Sequence, residues 1–86
     1  MAWRYELAPS AKRDLKRLDR ATIERIRAAL DRLAETGQGD VTRLTAKGGE
    51  LRLRVGDWRV RFERDESTSV FSVLRVLRRS EDTYRD

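Results

Sequence analysis

Apolar and polar residues alternate strictly along residues 50–62, which read Glu50-Leu-Arg-Leu-Arg-Val-Gly-Asp-Trp-Arg-Val-Arg-Phe62. A period of two predicts two half-buried β-strands. Gly56-Asp57 interrupts the alternation and predicts a two-residue hairpin turn, with glycine at a position that needs a positive φ. The turn sets the register, which pairs Val55 with Trp58, Arg54 with Arg59, Leu53 with Val60 and Arg52 with Arg61.

This register places two arginine pairs on one face of the hairpin, and the pattern predicts no acidic residue there. Like charges opposite each other destabilise a sheet by up to about 1 kcal/mol per pair. One interpretation is a solvated face whose arginines fan apart into water. The other, which four arginines without an acid favour, is a binding site for an anion.

Two helices are predicted between a first strand, residues 2–7, and the hairpin. The first helix is expected over residues 9–18, because proline suits the first turn of a helix. Asp19 is expected to cap a second helix over residues 20–36. Gly37 is expected to end that helix, and the short link predicts an antiparallel helix pair.

The last strand is predicted over residues 70–77, which are apolar on both alternations apart from Ser72 and Arg75. Such a strand belongs in the interior of a sheet. Residues 41–46 are short and ambiguous. The order β-α-α-β-β-β predicts an α+β fold in which the helix pair covers one face of a mostly antiparallel sheet. Leu51, Leu53, Val55, Trp58, Val60 and Phe62 should face the helices, which leaves the arginines on the open face.

The composition narrows the chemistry. Eighty-six residues predict one domain, 1–86, and the chain has no cysteine and no histidine. Disulfides, thiol nucleophiles and histidine acid–base catalysis are therefore excluded, and we expect neither a metal nor another cofactor. We also expect no membrane segment and a cytoplasmic location. A net charge of +5 favours a polyanionic partner such as nucleic acid or an acidic protein.

Several pieces, in order along nearly the whole chain, resemble the RelE/ParE superfamily of toxins from toxin–antitoxin systems. These are the aromatic first strand, the helix Ala11-Lys-Arg-Asp-Leu-Lys-Arg-Leu18, the run Arg54-Val-Gly-Asp-Trp-Arg59 and the ending Arg78-Arg79 with Tyr84. Within the superfamily the chain looks like the RelE-type toxins. Those toxins enter the ribosomal A site and cut mRNA without a metal, by attack of the 2′-OH on the adjacent phosphate.

The resemblance implies a set of site residues. The catalytic positions of the family fall on Arg52, Arg54, Arg59, Arg78 and Tyr84, with Arg79 in place of Arg78 if the tail is shifted by one residue. Several members have lysine at the first two positions, and arginine is a poor proton shuttle. Tyr84 is then the candidate general base, or a ring that stacks on a base beside the scissile bond. Residues expected to contact RNA or the ribosome are Lys12, Arg13, Lys16, Arg17, Lys47, Arg61 and Arg79. For the four on the first helix, a solvated face is the favoured interpretation, and contact with RNA or the ribosomal surface is the alternative.

The sequence therefore predicts a toxin that cleaves mRNA and is neutralised by a cognate antitoxin. The antitoxin would cover the arginines with an acidic and amphipathic segment, and operator DNA would be bound only through the toxin–antitoxin complex. Two alternatives stay open. One is a ParE-type inhibitor of DNA gyrase on the same fold, and the other is an RNA-binding module that does not cut.

Overall fold

The computed structural model describes residues 3–44 and 49–82, which form five strands and two helices. In chain order these are β1 (Arg4–Leu7), α1 (Pro9–Leu15), α2 (Arg20–Thr36), β2 (Val41–Arg43), β3 (Glu50–Val55), β4 (Trp58–Asp65) and β5 (Val70–Arg78). The strands make one sheet in the order β1-β5-β4-β3-β2. Only the β1–β5 pair among these is parallel. The predicted α+β class, with a mostly antiparallel sheet, is confirmed.

The second helix has the predicted bounds because both of its ends are capped. The Asp19 side chain accepts a hydrogen bond from the Thr22 backbone N–H at 3.3 Å, which satisfies a donor in the first turn. Gly37 ends the helix at φ 74°, in the left-handed region that glycine adopts without strain.

The first helix is three residues shorter than predicted. The backbone N–H groups of Arg17 and Leu18 donate to carbonyls three residues back, those of Asp14 and Leu15. This spacing belongs to a tight turn rather than to an α-helix. The chain therefore leaves the helix early and turns toward Asp19, where α2 is capped.

The β3–β4 hairpin has the predicted register, from Val55 opposite Trp58 to Arg52 opposite Arg61. Gly56 takes a positive φ of 58°, as the turn requires. The apolar residues of the hairpin face the helices, as predicted. The core that they join contains Ala11, Ile26, Leu30, Leu33, Ala34, Leu51, Leu53, Val60, Phe62, Phe71, Val73 and Val76, with Val55 and Trp58 half-buried against it.

The ambiguous stretch contributes a short edge strand, since β2 pairs with β3 and Val41 lies opposite Leu53. Residues 45 and 46 of that stretch lie outside the described part of the chain. β5 lies between β1 and β4, which confirms that the strand with two apolar faces is internal.

Side chains of helix α1 bind the part of β5 that lies beyond its pairing with β1, which ends at Val73. Ser10 Oγ donates to the Leu74 carbonyl at 2.7 Å. The Asp14 carboxylate accepts from the Val76 backbone N–H at 2.8 Å and from Arg75 Nε at 2.8 Å. Burial alone would raise the pKa of Asp14, but these hydrogen bonds outweigh it and hold that pKa below its ordinary value.

We expect Asp14→Ala to lower the free energy of unfolding by about 1–3 kcal/mol, because the Val76 N–H would lose its acceptor at a half-buried position. Urea denaturation at neutral pH measures this change. Glu24→Ala, which removes an exposed carboxylate from α2, is the control. Equal midpoints for the two variants would contradict the role of Asp14.

Candidate functional site

The face of the β3–β4 hairpin turned away from the helices carries Arg52, Arg54, Arg59 and Arg61, and we call it the arginine face. Leu51, Leu53, Val60 and Phe62 point to the core, so the period of two sends the intervening arginines to the opposite side. Residues 55–58, which we call the hairpin tip, bound one end of this face. The predicted clustering of these four arginines on one face is confirmed.

The prediction that this face holds no acid is wrong, because the chain folds back over it after β5. The Arg79 backbone N–H donates to the Asp57 carbonyl at 2.7 Å, and the Asp82 N–H donates to the Arg78 carbonyl at 3.1 Å. Glu81 accepts from the Arg78 N–H at 3.0 Å. This compact turn carries the Asp82 side chain onto the arginine face.

Asp82 lies between two of the arginines and its side chain is only 2% exposed. One carboxylate oxygen accepts from Arg52 Nη1 at 3.2 Å, and the other accepts a short hydrogen bond from Arg61 Nη2. Glu50 adds a second carboxylate 3.9 Å from Arg61. The inner part of the arginine face is therefore neutralised from within the chain.

Burial on its own would raise the pKa of Asp82. The hydrogen bond and the charge of Arg61, and then those of Arg52, outweigh burial and place the pKa of Asp82 below its ordinary value. Asp82 is consequently ionised at neutral pH. Arg52, which is 26% exposed, keeps part of its guanidinium open to a ligand, whereas Arg61 is 15% exposed.

The outer part of the arginine face, near the hairpin tip, is crowded with cations. Burial lowers the pKa of Arg59, and the neighbouring charges of Arg54, Arg52 and Arg79 lower it further, whereas Asp82 opposes them. Arg59 Nη1 donates to the backbone carbonyls of Gly56 at 3.0 Å and of Trp58 at 3.1 Å. The hairpin thus holds the Arg59 guanidinium in place among like charges, and an anion bound there would relieve their repulsion.

Arg54 has a weak acidic partner. Its Nε lies 2.9 Å from Asp40 Oδ2, but the side chains are 62% and 58% exposed. An ion pair this exposed contributes little, between about 0 and 1 kcal/mol. A phosphate can therefore replace Asp40 as the partner of Arg54 at small energetic cost.

Arg78 and Arg79 leave the end of β5 in different directions. The Arg78 guanidinium lies over the Trp58 ring, 5.1 Å from its centroid. Arg78 and Trp58 line a cleft of about 580 Å³, whose walls also include Arg17 and Asp14. The charge of Arg79, in contrast, reaches Arg59. The geometry therefore associates Arg79 with the arginine face, and associates Arg78 with the half-buried Trp58.

The basic residues of α1 are not part of the arginine face. Lys12, Arg13, Lys16 and Arg17 are exposed, and Arg17 lines the cleft beside Arg78. The structure thus separates these side chains from the hairpin arginines. Tyr84, the predicted general base or stacking residue, and Lys47 lie outside the described residues.

Sequence reasoning missed two residues of the site. Asp82 is one of several acidic residues after β5, and nothing local in the sequence indicates that its carboxylate returns to β3 and β4. Arg25 is one of several charged residues on α2 that the sequence does not set apart, yet its guanidinium lies against Gly56 at the hairpin tip. A count of unpaired charges on the hairpin was the available signal, since four adjacent arginines call for nearby carboxylates.

Two further properties concern metal ions and membranes. Within residues 3–44 and 49–82, no three acidic side chains come together in a group that could hold a metal ion. Neither helix in the same part of the chain has the length and apolar character needed to span a membrane.

Comparison with solved structures supports the fold. The chain is similar to the RelE–RelB complex of the archaeon Pyrococcus horikoshii, with 24% identity, a TM-score of 0.78 and coverage of 94% of this chain and 99% of that one. It is similar to the RelB–RelE antitoxin–toxin complex of Methanococcus jannaschii, with 22% identity, a TM-score of 0.71 and coverage of 86% and 89%. It is also similar to the RelBE2 toxin–antitoxin complex of Mycobacterium tuberculosis, with 24% identity, a TM-score of 0.63 and coverage of 91% and 99%.

The sequence comparisons assign the family. No curated protein matches the chain. The family model described as the ParE toxin of the type II toxin–antitoxin system parDE matches residues 5–83, which is nearly the whole chain. The predicted resemblance to the RelE/ParE superfamily is thereby confirmed, and the protein belongs to the ParE toxin family of type II toxin–antitoxin systems.

Proposed function

We propose that this toxin is an endoribonuclease that cleaves mRNA at the ribosomal A site and so inhibits translation. The observation that carries the proposal is the crowding of Arg54 and Arg79 around a positioned Arg59 at the hairpin tip. Such a cluster is suited to a phosphate whose negative charge increases during the reaction. The RelE fold of the similar structures supports the same choice.

In the proposed reaction the 2′-OH of a nucleotide attacks its own 3′-phosphate. The new bond closes a 2′,3′-cyclic phosphate, and the bond to the 5′-oxygen of the next nucleotide breaks. The 2′-OH gives up a proton and the leaving oxygen gains one. Arg59 and Arg54 stabilise the charge on the phosphorane, with Arg52 beside them. Each preorganised donor of this kind contributes about 10²–10³ in rate.

Proton transfer needs a different group, because an arginine side chain stays protonated and is a poor proton shuttle. Tyr84 is the residue that we propose for it, as general base or as a stacking platform for the neighbouring base. Cations near a tyrosine favour the phenolate, and acid–base assistance of this kind contributes about 10²–10⁴ in rate.

The proposed partner is a cognate antitoxin. The toxins of the similar structures were solved in complex with their antitoxins. Asp82 shows how the arginine face receives a carboxylate, and an acidic segment of the antitoxin would bind the remaining arginines in the same way. Operator DNA would be bound only by the toxin–antitoxin complex.

Inhibition of DNA gyrase is the second candidate, because the matching family is that of the ParE toxins. On this alternative the arginines would contact the gyrase–DNA complex without cutting RNA. A toxin that binds RNA without cleaving it would differ from both.

A cell-free translation reaction distinguishes these functions. We expect the added protein to cut mRNA within the codon in the A site, at positions that primer extension maps. Arg59→Gln should cut mRNA far more slowly than the wild type, whereas Arg32→Gln, an exposed arginine of α2 bonded to Gln38, should cut normally. Intact mRNA together with loss of gyrase supercoiling would establish the second candidate. Intact mRNA with active gyrase and retained RNA binding would indicate a non-catalytic RNA-binding module.

A further inference from the structure

Arg25 of α2 lies against the hairpin tip. Its guanidinium fits there because Gly56 has no side chain. A methyl group added to Gly56 would lie 2.6 Å from Arg25 Nη2 and 3.6 Å from Arg25 Cζ. The first distance is shorter than any van der Waals contact allows. The guanidinium therefore occupies the volume that a larger side chain at this position would fill.

A second guanidinium contacts the same glycine, and a third arginine is the cross-strand neighbour of the second. Arg59 Nη1 donates to the Gly56 carbonyl at 3.0 Å, and Arg54 lies opposite Arg59 in the hairpin register. Arginines from a helix and from two strands thus meet at the hairpin tip. The sequence separates Arg25 from the other two by about thirty residues, so only the folded chain brings them together.

The acidic residues nearby leave this group positively charged. Asp82 is fully engaged with Arg52 and Arg61 in the inner part of the arginine face. Asp57, at the tip itself, lines the cleft on the side of Trp58. Asp40 pairs with Arg54 through an exposed contact that a stronger anion can displace.

We infer that Arg25, Arg54 and Arg59 form a subsite at the hairpin tip for the phosphodiester backbone of single-stranded RNA. Guanidinium forks match phosphate oxygens in a bidentate geometry. Gly56 and Asp57 are exposed at the tip, so a ligand can reach it. A flexible chain of phosphates complements a group of three arginines by charge. The choice of RNA rests on the proposed function, and the role of Arg25 adds to it.

Binding of a single-stranded RNA oligonucleotide with 2′-O-methyl groups, which cannot be cut, tests the subsite without cleavage. The measured quantity is the slope of the logarithm of the association constant against the logarithm of the salt concentration. Each phosphate contact on a single strand contributes about 0.7 to the magnitude of that slope. We expect Arg25→Gln to reduce it by about 0.7, and Arg32→Gln, the same charge change two turns along α2, to leave it nearly unchanged.

Gly56→Asn provides a second, independent variant. Asparagine tolerates a positive φ, so the turn is retained, but its Cβ displaces the Arg25 guanidinium. We expect Gly56→Asn to reduce the slope as Arg25→Gln does. We also expect the two changes together to reduce it no further than either one, because both remove the same contact.

Three results would overturn the inference. The first is an Arg25→Gln slope equal to that of the wild type, including the case in which this variant weakens only the antitoxin complex. The second is an equal loss in Arg32→Gln, which would show a general charge effect. The third is full additivity of Arg25→Gln and Gly56→Asn. A toxin that shows the expected slopes but leaves mRNA intact keeps the subsite and refutes the proposed cleavage, so the two failures are distinguishable.

Discussion

Arg59→Gln is expected to reduce the rate of mRNA cleavage by about 10²–10³-fold. The guanidinium of Arg59 is fixed by two carbonyls of its own hairpin, those of Gly56 and Trp58. Its charge is therefore in place before a phosphate arrives, and no reorganisation is needed as negative charge develops. Glutamine retains a hydrogen-bond donor but removes the charge.

The comparison that makes this result specific is Arg64→Gln, an exposed arginine of the same strand. Arg64 lies beyond the bulge between Arg61 and Phe62 and lines a cleft with Trp3 and Phe71 on the other side of the sheet. This control should cut mRNA at the wild-type rate. The cleavage rate of Arg59→Lys should fall between those of Arg59→Gln and Arg64→Gln, because lysine keeps the charge but lacks the planar guanidinium fork. If Arg59→Gln folds normally and cuts at the wild-type rate, Arg59 does not stabilise the transition state.

The hairpin could be predicted in detail because its determinants are local. Alternation sets which residues face the core, and Gly56-Asp57 fixes the register, so that Arg54 opposite Arg59 follows from thirteen consecutive residues. The ends of α2 were predictable for the same reason. Asp19 and Gly37 act within one turn of the residues whose backbone they satisfy.

The rest of the site depends on contacts between distant parts of the chain. Asp82 reaches Arg52 across thirty residues, and Arg25 reaches Gly56 across a similar distance. Neither contact leaves a periodic signal, because each is set by the direction in which a turn or helix delivers one side chain. The end of α1 was predicted three residues too late for a local reason. A helical pattern does not show where a tight turn replaces the last α-helical turn.

The position of Asp82 changes what the arginine face can do. A sheet with four uncompensated arginines would attract any polyanion along its whole length. The structure instead neutralises the inner part through Asp82 and Glu50, and leaves the positive charge concentrated near Arg54 and Arg59. In the proposed function, this charge distribution would direct a substrate phosphate toward the hairpin tip. Removal of Asp82 should make the positive charge less concentrated at the hairpin tip, and it should also lower the stability of the fold.

Asp82→Asn is expected to lower the free energy of unfolding at neutral pH by about 2–3 kcal/mol. Loss of one partner from a buried ion pair is destabilising by about 3–5 kcal/mol. Arg52 and Arg61 are 26% and 15% exposed, so water screens part of the charge left behind and the expected effect is smaller. In a domain of this length the loss corresponds to a melting temperature lower by roughly 10–20 °C.

The difference in unfolding free energy between the wild type and Asp82→Asn should depend on pH, because it arises from the ionised Asp82 carboxylate. The pKa of Asp82 is lowered in the folded protein, so the unfolded chain binds more protons in the acidic range. The stabilisation is then fully present above the unfolded pKa of about 3.9 and is lost as the pH falls through the folded pKa. Urea denaturation of the wild type and Asp82→Asn should therefore give curves that are well separated at pH 7 and that converge at low pH. Asp57→Asn, an exposed acid of the hairpin tip, should follow the wild type throughout.

A double-mutant cycle shows which arginine, Arg52 or Arg61, accounts for the stability lost in Asp82→Asn. Arg61 is the more buried of the two arginines, and its hydrogen bond and charge lower the pKa of Asp82 more than those of Arg52 do. The coupling of Asp82→Asn with Arg61→Gln should consequently exceed its coupling with Arg52→Gln. If Asp82→Asn is as stable as Asp57→Asn at pH 7, or if neither arginine is coupled to it, then the carboxylate does not hold the end of the chain on the arginine face, and the inner arginines are available to bind phosphate.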